Sequence, residues 1–285
     1  MLGLLRQSRF SWRVNFSVTG RYRGRRLKVP LVLGRGFQNL QIGEAWFQKA
    51  LEKVLATRDG AFIDVGVNLG QTLIKVKLVD WTRPYVGFEP NPQCNQYVSE
   101  LVNLNGFAHC TIIPVGLSDR TEVVVLSTKD DAVDPSASLV PGFRPAERYT
   151  RWQHVPVFPG DVLLGDVDRI ALIKIDVEGG ELEVIRGLAN TLRRCAPIVF
   201  CEILPIFNDT TENGAFRKLR QEQLLAIFAA QDYRTFRMLG DETVVELRSI
   251  ETHGDLALTN YAFVPPAEQA AFRRLFTMSV QSAPA

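Results

Sequence analysis

The chain has 285 residues, 46% of them hydrophobic and 22% charged, with 21 Gly and 15 Pro, an ordinary folded composition that needs no disulfide or metal staple to bury a core. No run reaches the roughly 18 to 20 apolar residues of a membrane-spanning helix, and Arg6 and Arg9 fall where a secretory signal needs its apolar core, so a cytoplasmic protein is expected. The net charge of +2 hides a division, because residues 1–43 hold nine basic residues and no Asp or Glu, which leaves −7 for the remainder.

The first 36 residues read as a basic, half-buried hairpin: Trp12, Val14, Phe16 and Val18 alternate with Arg13, Asn15 and Ser17, Gly20 interrupts, and a second extended run spans Leu27 to Leu33. A helix is predicted from about Glu44 to Ala56, ended by Arg58-Asp59-Gly60. Strand Ala61 to Val65 then leads through a glycine-rich turn into a helix to about Val79. Strand Pro84 to Phe88 leads into a helix to about Asn105, and Thr111 to Val115 is a third strand. Residues 128–152 are rich in Asp, Ser, Pro and Arg without periodicity, and a loop that long in a compact domain is expected to be a lid over a site. Beyond it the pattern resumes with strand Ile170 to Ile175, a helix from Glu181 to Arg194, strand Ile198 to Ile203 and a helix from Phe216 to Ala230. Short strands are expected at Phe236 to Leu239, Val244 to Leu247 and Tyr261 to Val264, with a frayed tail after about Met278. Strands alternating with helices predict an α/β fold around a parallel sheet.

In such a sheet, ligands bind beyond the carboxyl ends of the strands. Here each end carries polar residues: Asp64-Val65-Gly66-Val67-Asn68-Leu69-Gly70, Glu89, Gly116-Leu117-Ser118-Asp119, Asp176-Val177-Glu178-Gly179-Gly180 and Glu202. Gly66 and Gly70 suit a turn where backbone amides approach a ligand, and Glu89, at the end of the adjacent strand, suits the two hydroxyls of a ribose. The second glycine of a dinucleotide fingerprint is replaced by Asn68, and no Gly-Lys-Ser/Thr phosphate loop is present. Asp64 would repel a pyrophosphate but favour the ammonium and sulfonium charges of S-adenosylmethionine.

Phe62 to Gly70, Gly87-Phe88-Glu89-Pro90-Asn91-Pro92, Ile173 to Gly187 with its Lys174-Ile175-Asp176-Val177-Glu178-Gly179 core, and Asn260 to Pro265 together resemble the FkbM-type S-adenosylmethionine-dependent methyltransferases over roughly residues 40 to 266. One departure is Val67, where that family usually has alanine. The resemblance implies a class I methyltransferase Rossmann-like fold with a seven-stranded, mostly parallel sheet and helices on both faces. It also implies O-methylation of a hydroxyl on a sugar, glycolipid or natural product. It divides the chain into a basic extension (1–43) on the acceptor side, a methyltransferase domain (44–266) with the 128–152 lid, and a C-terminal helix and tail (267–285). By position, Asp64, Gly66, Asn68 and Gly70 are expected around the methionine and ribose, Glu89 on the ribose hydroxyls, and Ser118 and Asp119 near the adenine. Asp176 and Glu178 are expected to face the transferred methyl and the acceptor.

An alcohol becomes a good nucleophile as its proton is removed, so one of Asp176, Glu178 and Glu202 is expected to be the general base. A carboxylate pair could instead hold a divalent cation, although no further ligand spacing supports a metal. His109 precedes its strand, at the wrong end of the sheet; His154 and His253 are placed to reach the acceptor, but surface or packing roles are their default. Cys94, Cys110, Cys195 and Cys201 form no Cys-x-x-Cys pair and read as buried small hydrophobes. The Arg-rich start would serve a nucleic-acid methyltransferase, but the Asn/Asp-Pro-Pro-Tyr/Phe motif of amino-group methylation is absent after Ile175, so no nucleic-acid partner is expected. A non-catalytic binding module on the same fold is a further alternative, disfavoured by the retained Asp64, Glu89, Asp176 and Glu178. The basic segment is expected to pack over the carboxyl edge of the sheet and to recruit an anionic acceptor or touch a membrane surface.

Overall fold

The computed structural model describes residues 15–129, 134 and 136–279. Arg6, Arg9, Trp12, Arg13 and Val14 of the expected hairpin, part of the expected lid, and the expected tail from residue 280 lie outside the described residues.

The hairpin pairs β1 (Asn15–Tyr22) with β2 (Arg25–Val32). Its turn falls at Arg23 and Gly24, whose φ values of 50° and 81° are those of a two-residue hairpin loop, and Gly20 stays within β1. Helix α1 (Ala45–Leu55) precedes β3 (Ala61–Val65), α2 (Gln71–Val79), β4 (Tyr85–Phe88), α3 (Pro92–Asn105) and β5 (Cys110–Ile113). Next come β6 (Gly116–Ser118), β7 (Glu122–Thr128), β8 (Arg151–Pro159) and the single turn α4 (Gly160–Leu163). The second half contains β9 (Ile170–Ile175), α5 (Glu181–Gly187), α6 (Ala189–Cys195), β10 (Ile198–Glu202), α7 (Glu212–Ala229), β11 (Arg234–Met238), β12 (Thr243–Leu247), β13 (Asn260–Val264), α8 (Gln269–Leu275) and β14 (Thr277–Ser279).

The main sheet runs β14-β12-β11-β13-β10-β9-β3-β4-β5, nine strands where seven are expected, because β12 and β14 extend the β11 edge. The five strands from β10 to β5 are parallel, and β13 runs antiparallel to both its neighbours, β10 and β11. Alternation splits the core between the two faces. Phe62, Leu172 and Phe200 pack under α1, α2 and α3, whereas Ile63, Val65, Ile173 and Val199 pack with Leu182, Ile185 and Phe228.

Two helices replace the single one expected from Glu181 to Arg194. The break follows Gly187, where a Cβ would overlap the carbonyl oxygen of Ser118, so this helix face lies directly against β6. A three-stranded sheet, β6-β8-β7, stands beside the main one, in a region where no strands are expected beyond residue 115. The cysteines are free; Cys94 and Cys201 are buried, and Cys110 and Cys195 are half-buried, short of the full burial expected.

The hairpin does not pack over the carboxyl edge of the sheet. Leu27, Val29 and Leu31 press β2 against α3, in the same core as Val98 and Leu101. Tyr97 donates to the carbonyl of Pro30 at 2.9 Å, and Lys28 N donates to Asn105 Oδ1 at 2.7 Å, so β2 runs antiparallel to the helix and its turn lies at the helix C-terminus.

Candidate functional site

A cavity of about 900 Å³ opens at the carboxyl ends of β3, β4, β9 and β10, where Val65, Phe88, Ile175 and Glu202 line it. Its volume is at the upper end of the usual range for small-molecule sites. The N-terminal turns of α1, α2 and α3 reach it, and Leu139, Val140 and Pro141 from the expected lid form part of its wall.

The β3–α2 turn is held by its own geometry. Gly66 has φ 90°, and a Cβ there would overlap the carbonyl oxygen of Asp176, so glycine serves the close approach of two strand ends as well as any ligand. Asn68 follows at φ 49° and Gly70 at φ 77°. Glu89 ties this turn to the next: its Oε2 accepts from Asn68 N at 2.7 Å and its Oε1 from Asn91 N at 2.8 Å. Burial raises its pKa to about 7, while the two amide bonds pull it down.

Three of the expected cofactor residues do not line the cavity. Asp64 shares the face of Phe62 and is fully buried, accepting from the Tyr85 hydroxyl; its Oδ1 has no partner among the described residues. Burial raises it to about 6, against the opposing pull of Lys174 and Tyr85. Gly70 is the left-handed residue before α2, and Asp119 turns outward to Arg120 and Arg186. Gly66, Asn68, Glu89 and Ser118 do line it.

Asp176, Glu178 and Glu202 all line the cavity, with different partners. Lys174 lies directly across from Asp64 on β3 and from Phe200 on β10, and its ammonium donates to Asp176 Oδ2 at 3.0 Å. Burial alone would lower the pKa of Lys174, but Asp176 and Asp64 raise it, so the ammonium stays charged. Glu178, at φ 55°, pairs with Arg144 from the expected lid; burial raises its pKa and Arg144 opposes the rise. Glu202 Oε1 accepts from the Thr259 hydroxyl at 3.1 Å, and the side chain makes no ion pair among the described residues. Burial, and then Asp176, push its pKa up to about 8. Lys174 and Arg144 are the partners that sequence reasoning missed. Lys174 was open to detection two residues before Asp176 on the same strand face, whereas nothing local marks Arg144.

His109 precedes β5 at the amino edge, and His154 points outward from β8. His253 is half-buried and does not line the cavity, whereas Asn260 and Tyr261 do. Among the described residues, eight carboxylate residues stand around the wall against two cationic ones, Arg120 and Lys174. Among the described residues no three His, Cys, Asp or Glu side chains gather as a metal ion would require. No helix among them is long and apolar enough to cross a membrane.

The donor set fits S-adenosylmethionine. Glu89 and Ser118 can meet ribose and base, Val67, Phe88 and Leu117 give apolar walls, and the carboxylate excess matches a ligand with ammonium and sulfonium charge.

The chain is 30% identical over 142 residues to the hexuronic acid methyltransferase AglP of Haloferax volcanii, an alignment covering 48% of this chain and 54% of that protein. The chain thus spans about half the length of this curated relative. Among solved structures it is similar to the methyltransferase FkbM of Methylobacillus flagellatus, with 17% identity, TM-score 0.45, and 72% and 43% of the two chains covered. It is also similar to the fibrillarin of Aeropyrum pernix in complex with S-adenosyl-L-methionine, with 9% identity, TM-score 0.39 and coverage of 87% and 81%. Residues 64–235, more than half of the chain, match the methyltransferase FkbM domain, and the chain therefore belongs to the FkbM family of S-adenosylmethionine-dependent methyltransferases.

Proposed function

We propose that the chain transfers a methyl group to a hydroxyl of a sugar or glycan, with Glu202 as the general base. When bound, S-adenosylmethionine supplies an electrophilic methyl on a sulfonium, so the protein's work is to align an acceptor oxygen and receive its proton. Within this reading Gly66, Asn68, Glu89 and Ser118 hold the cofactor.

The carrying observation is the contrast among the three cavity carboxylates. Asp176 is matched by Lys174 and Glu178 by Arg144, whereas Glu202 is bonded by the Thr259 hydroxyl and has no ion pair among the described residues, and its pKa is raised to about 8 against the more distant pull of Lys174. Such a group takes a proton readily near neutral pH. Asp176, held by Lys174, orients the acceptor beside it. The excess of cavity carboxylates supports a neutral hydroxyl-bearing ring at the reacting end, with any anionic group of the acceptor kept outside the mouth. The named substrate class of the Haloferax relative, a hexuronic acid, supports a sugar acceptor but, as an anionic ring, not the neutral charge inferred from the carboxylates.

The test is methyl transfer from labelled S-adenosylmethionine to a panel of sugar and glycan acceptors. Glu202→Gln and Asp176→Asn are expected to lose transfer while keeping S-adenosylhomocysteine binding. Full turnover in Glu202→Gln would reject it as the base.

A further inference from the structure

We propose that the outer face of the β1–β2 hairpin is a docking surface for a layer of anionic lipid headgroups. Residues directly opposite in an antiparallel pair share a face. Leu27, Val29 and Leu31 bury the inner face, so Arg26 and Lys28, with their partners Arg21 and Thr19, point outward. Arg21 and Arg26 are directly opposed, a placement that costs stability between like charges. All three cations are exposed, and none of the ion pairs among the described residues engages them. Neighbouring cations are engaged elsewhere: Arg23 with Glu52, Arg25 over the Trp81 ring and Arg35 with Gln93.

The surface lies at the far end of the fold from the cavity. Helices α1, α2 and α3 all begin at the cavity wall, and the hairpin turn meets their other ends through Glu52, Trp81 and Asn105. The 14 residues of α3 alone put about 20 Å between the two sites. A lipid surface bound here leaves the cavity mouth open to solvent.

Two features select headgroups over a single phosphate or a nucleic acid. Arg21, Arg26 and Lys28 stand exposed on the outer face of the ribbon and line neither the main cavity nor the small one beside Phe143. Among the described residues the outer face carries Ser17, Thr19, Arg21, Arg26 and Lys28 and no aromatic ring on which a base could stack. Each cation near an anionic bilayer adds to its attraction, and salt screens it.

The experiment is co-sedimentation of the full chain with phosphatidylcholine vesicles, with and without phosphatidylglycerol. Binding only to the phosphatidylglycerol vesicles, weakened about tenfold or more by Arg21→Gln/Arg26→Gln/Lys28→Gln and by high salt, is expected. The triple variant should keep its thermal midpoint and its S-adenosylhomocysteine affinity, which shows that the loss is not unfolding. Absence of binding, equal binding by the variant, or preferential capture by polyuridylate would each overturn the proposal.

Discussion

The hydroxyl of Tyr85 donates to Oδ2 of Asp64, and both side chains are buried in the layer between β3, β4 and the helices above them. This bond gives the first acidic residue of the glycine-rich turn a place in the fold. Tyr85→Phe would leave a buried carboxylate with neither oxygen bonded to a neighbouring hydroxyl, costing about 1.5–3 kcal/mol. The unfolding free energy from urea titration should fall by that amount, while cofactor affinity measured on the folded fraction changes little. A large affinity loss with unaltered stability would return Asp64 to the ligand.

Glu202→Gln should cut turnover by about 10²- to 10⁴-fold, the usual contribution of a positioned base. In the native enzyme, kcat should rise with pH and level off above a midpoint near 8, because the base works only when deprotonated. A pH–rate profile flat from 6 to 9, with chemistry shown to be rate-limiting, contradicts that role.

Buried carboxylates also set a pH trend in stability. Folding raises Asp64 to about 6, Glu89 and Glu181 to about 7 and Glu202 to about 8, each chiefly by burial. Their unfolded values are about 4, so above that pH the folded state binds more protons and stability falls as pH rises. The loss grows through the window from about 4 to 8 and is complete above the folded values. Melting of the cofactor-free protein should therefore be lower at pH 8 than at pH 5.5, and Glu181→Gln should shrink the difference.

Gly66 and Gly70 separate two kinds of glycine requirement. At Gly70 the Cβ of alanine would come within 2.9 Å of Leu101 Cδ2, a movable side-chain end, so the cost is mainly the left-handed backbone, about 1–2 kcal/mol. At Gly66 the obstacle is backbone, the carbonyl of Asp176, and Gly66→Ala should in addition spread β3 from the β9–α5 turn. Calorimetry should find the second variant the less stable and without cofactor-induced stabilisation.

The stretch from Ser136 to Tyr149 is fastened to the turn that carries Glu178. Phe143 packs against Gly179 with the Arg217 guanidinium 4.6 Å from its ring centre, Ser138 Oγ donates to the Glu178 carbonyl, and Asn213 holds the carbonyl of Gly142. Phe143→Ala should cost about 3–5 kcal/mol if the loss is felt globally. If the strap opens alone, limited proteolysis between residues 129 and 150 should accelerate with the melting midpoint unchanged. Either outcome ties Phe143 to the strap's closure, whereas no change in either measurement would deny it that role.

The parallel sheet and its ligand edge were legible because β3, β4, β9 and β10 are short apolar runs ending in polar residues, and such runs have few alternatives. Orientation within a strand was harder. Asp64 has the right charge for a cofactor, but strand alternation puts it on the face of Phe62, which the charge does not reveal. The hairpin's alternation showed that Leu27, Val29 and Leu31 bury a face without showing that α3 covers it. Arg144 was invisible, because its meeting with Glu178 depends on a strap whose path is set by long-range contacts. The small β6-β8-β7 sheet was missed for a related reason: β7 and β8 pair across a long insertion that looked like the whole of the feature.

The position of β3 bears on how the chain is made. One side of Ala61–Val65 pairs with β4, from the next unit, but the other side pairs with β9, whose first residue is Ile170. As the chain leaves the ribosome, the β9-facing edge of this largely apolar strand waits unpaired while residues 66–169, with the β7–β8 insertion among them, are synthesised. An exposed edge of this kind templates association between chains. Chains stopped before Ile170 should therefore aggregate, and slow decoding of the insertion should lower the yield of native protein without altering its final stability.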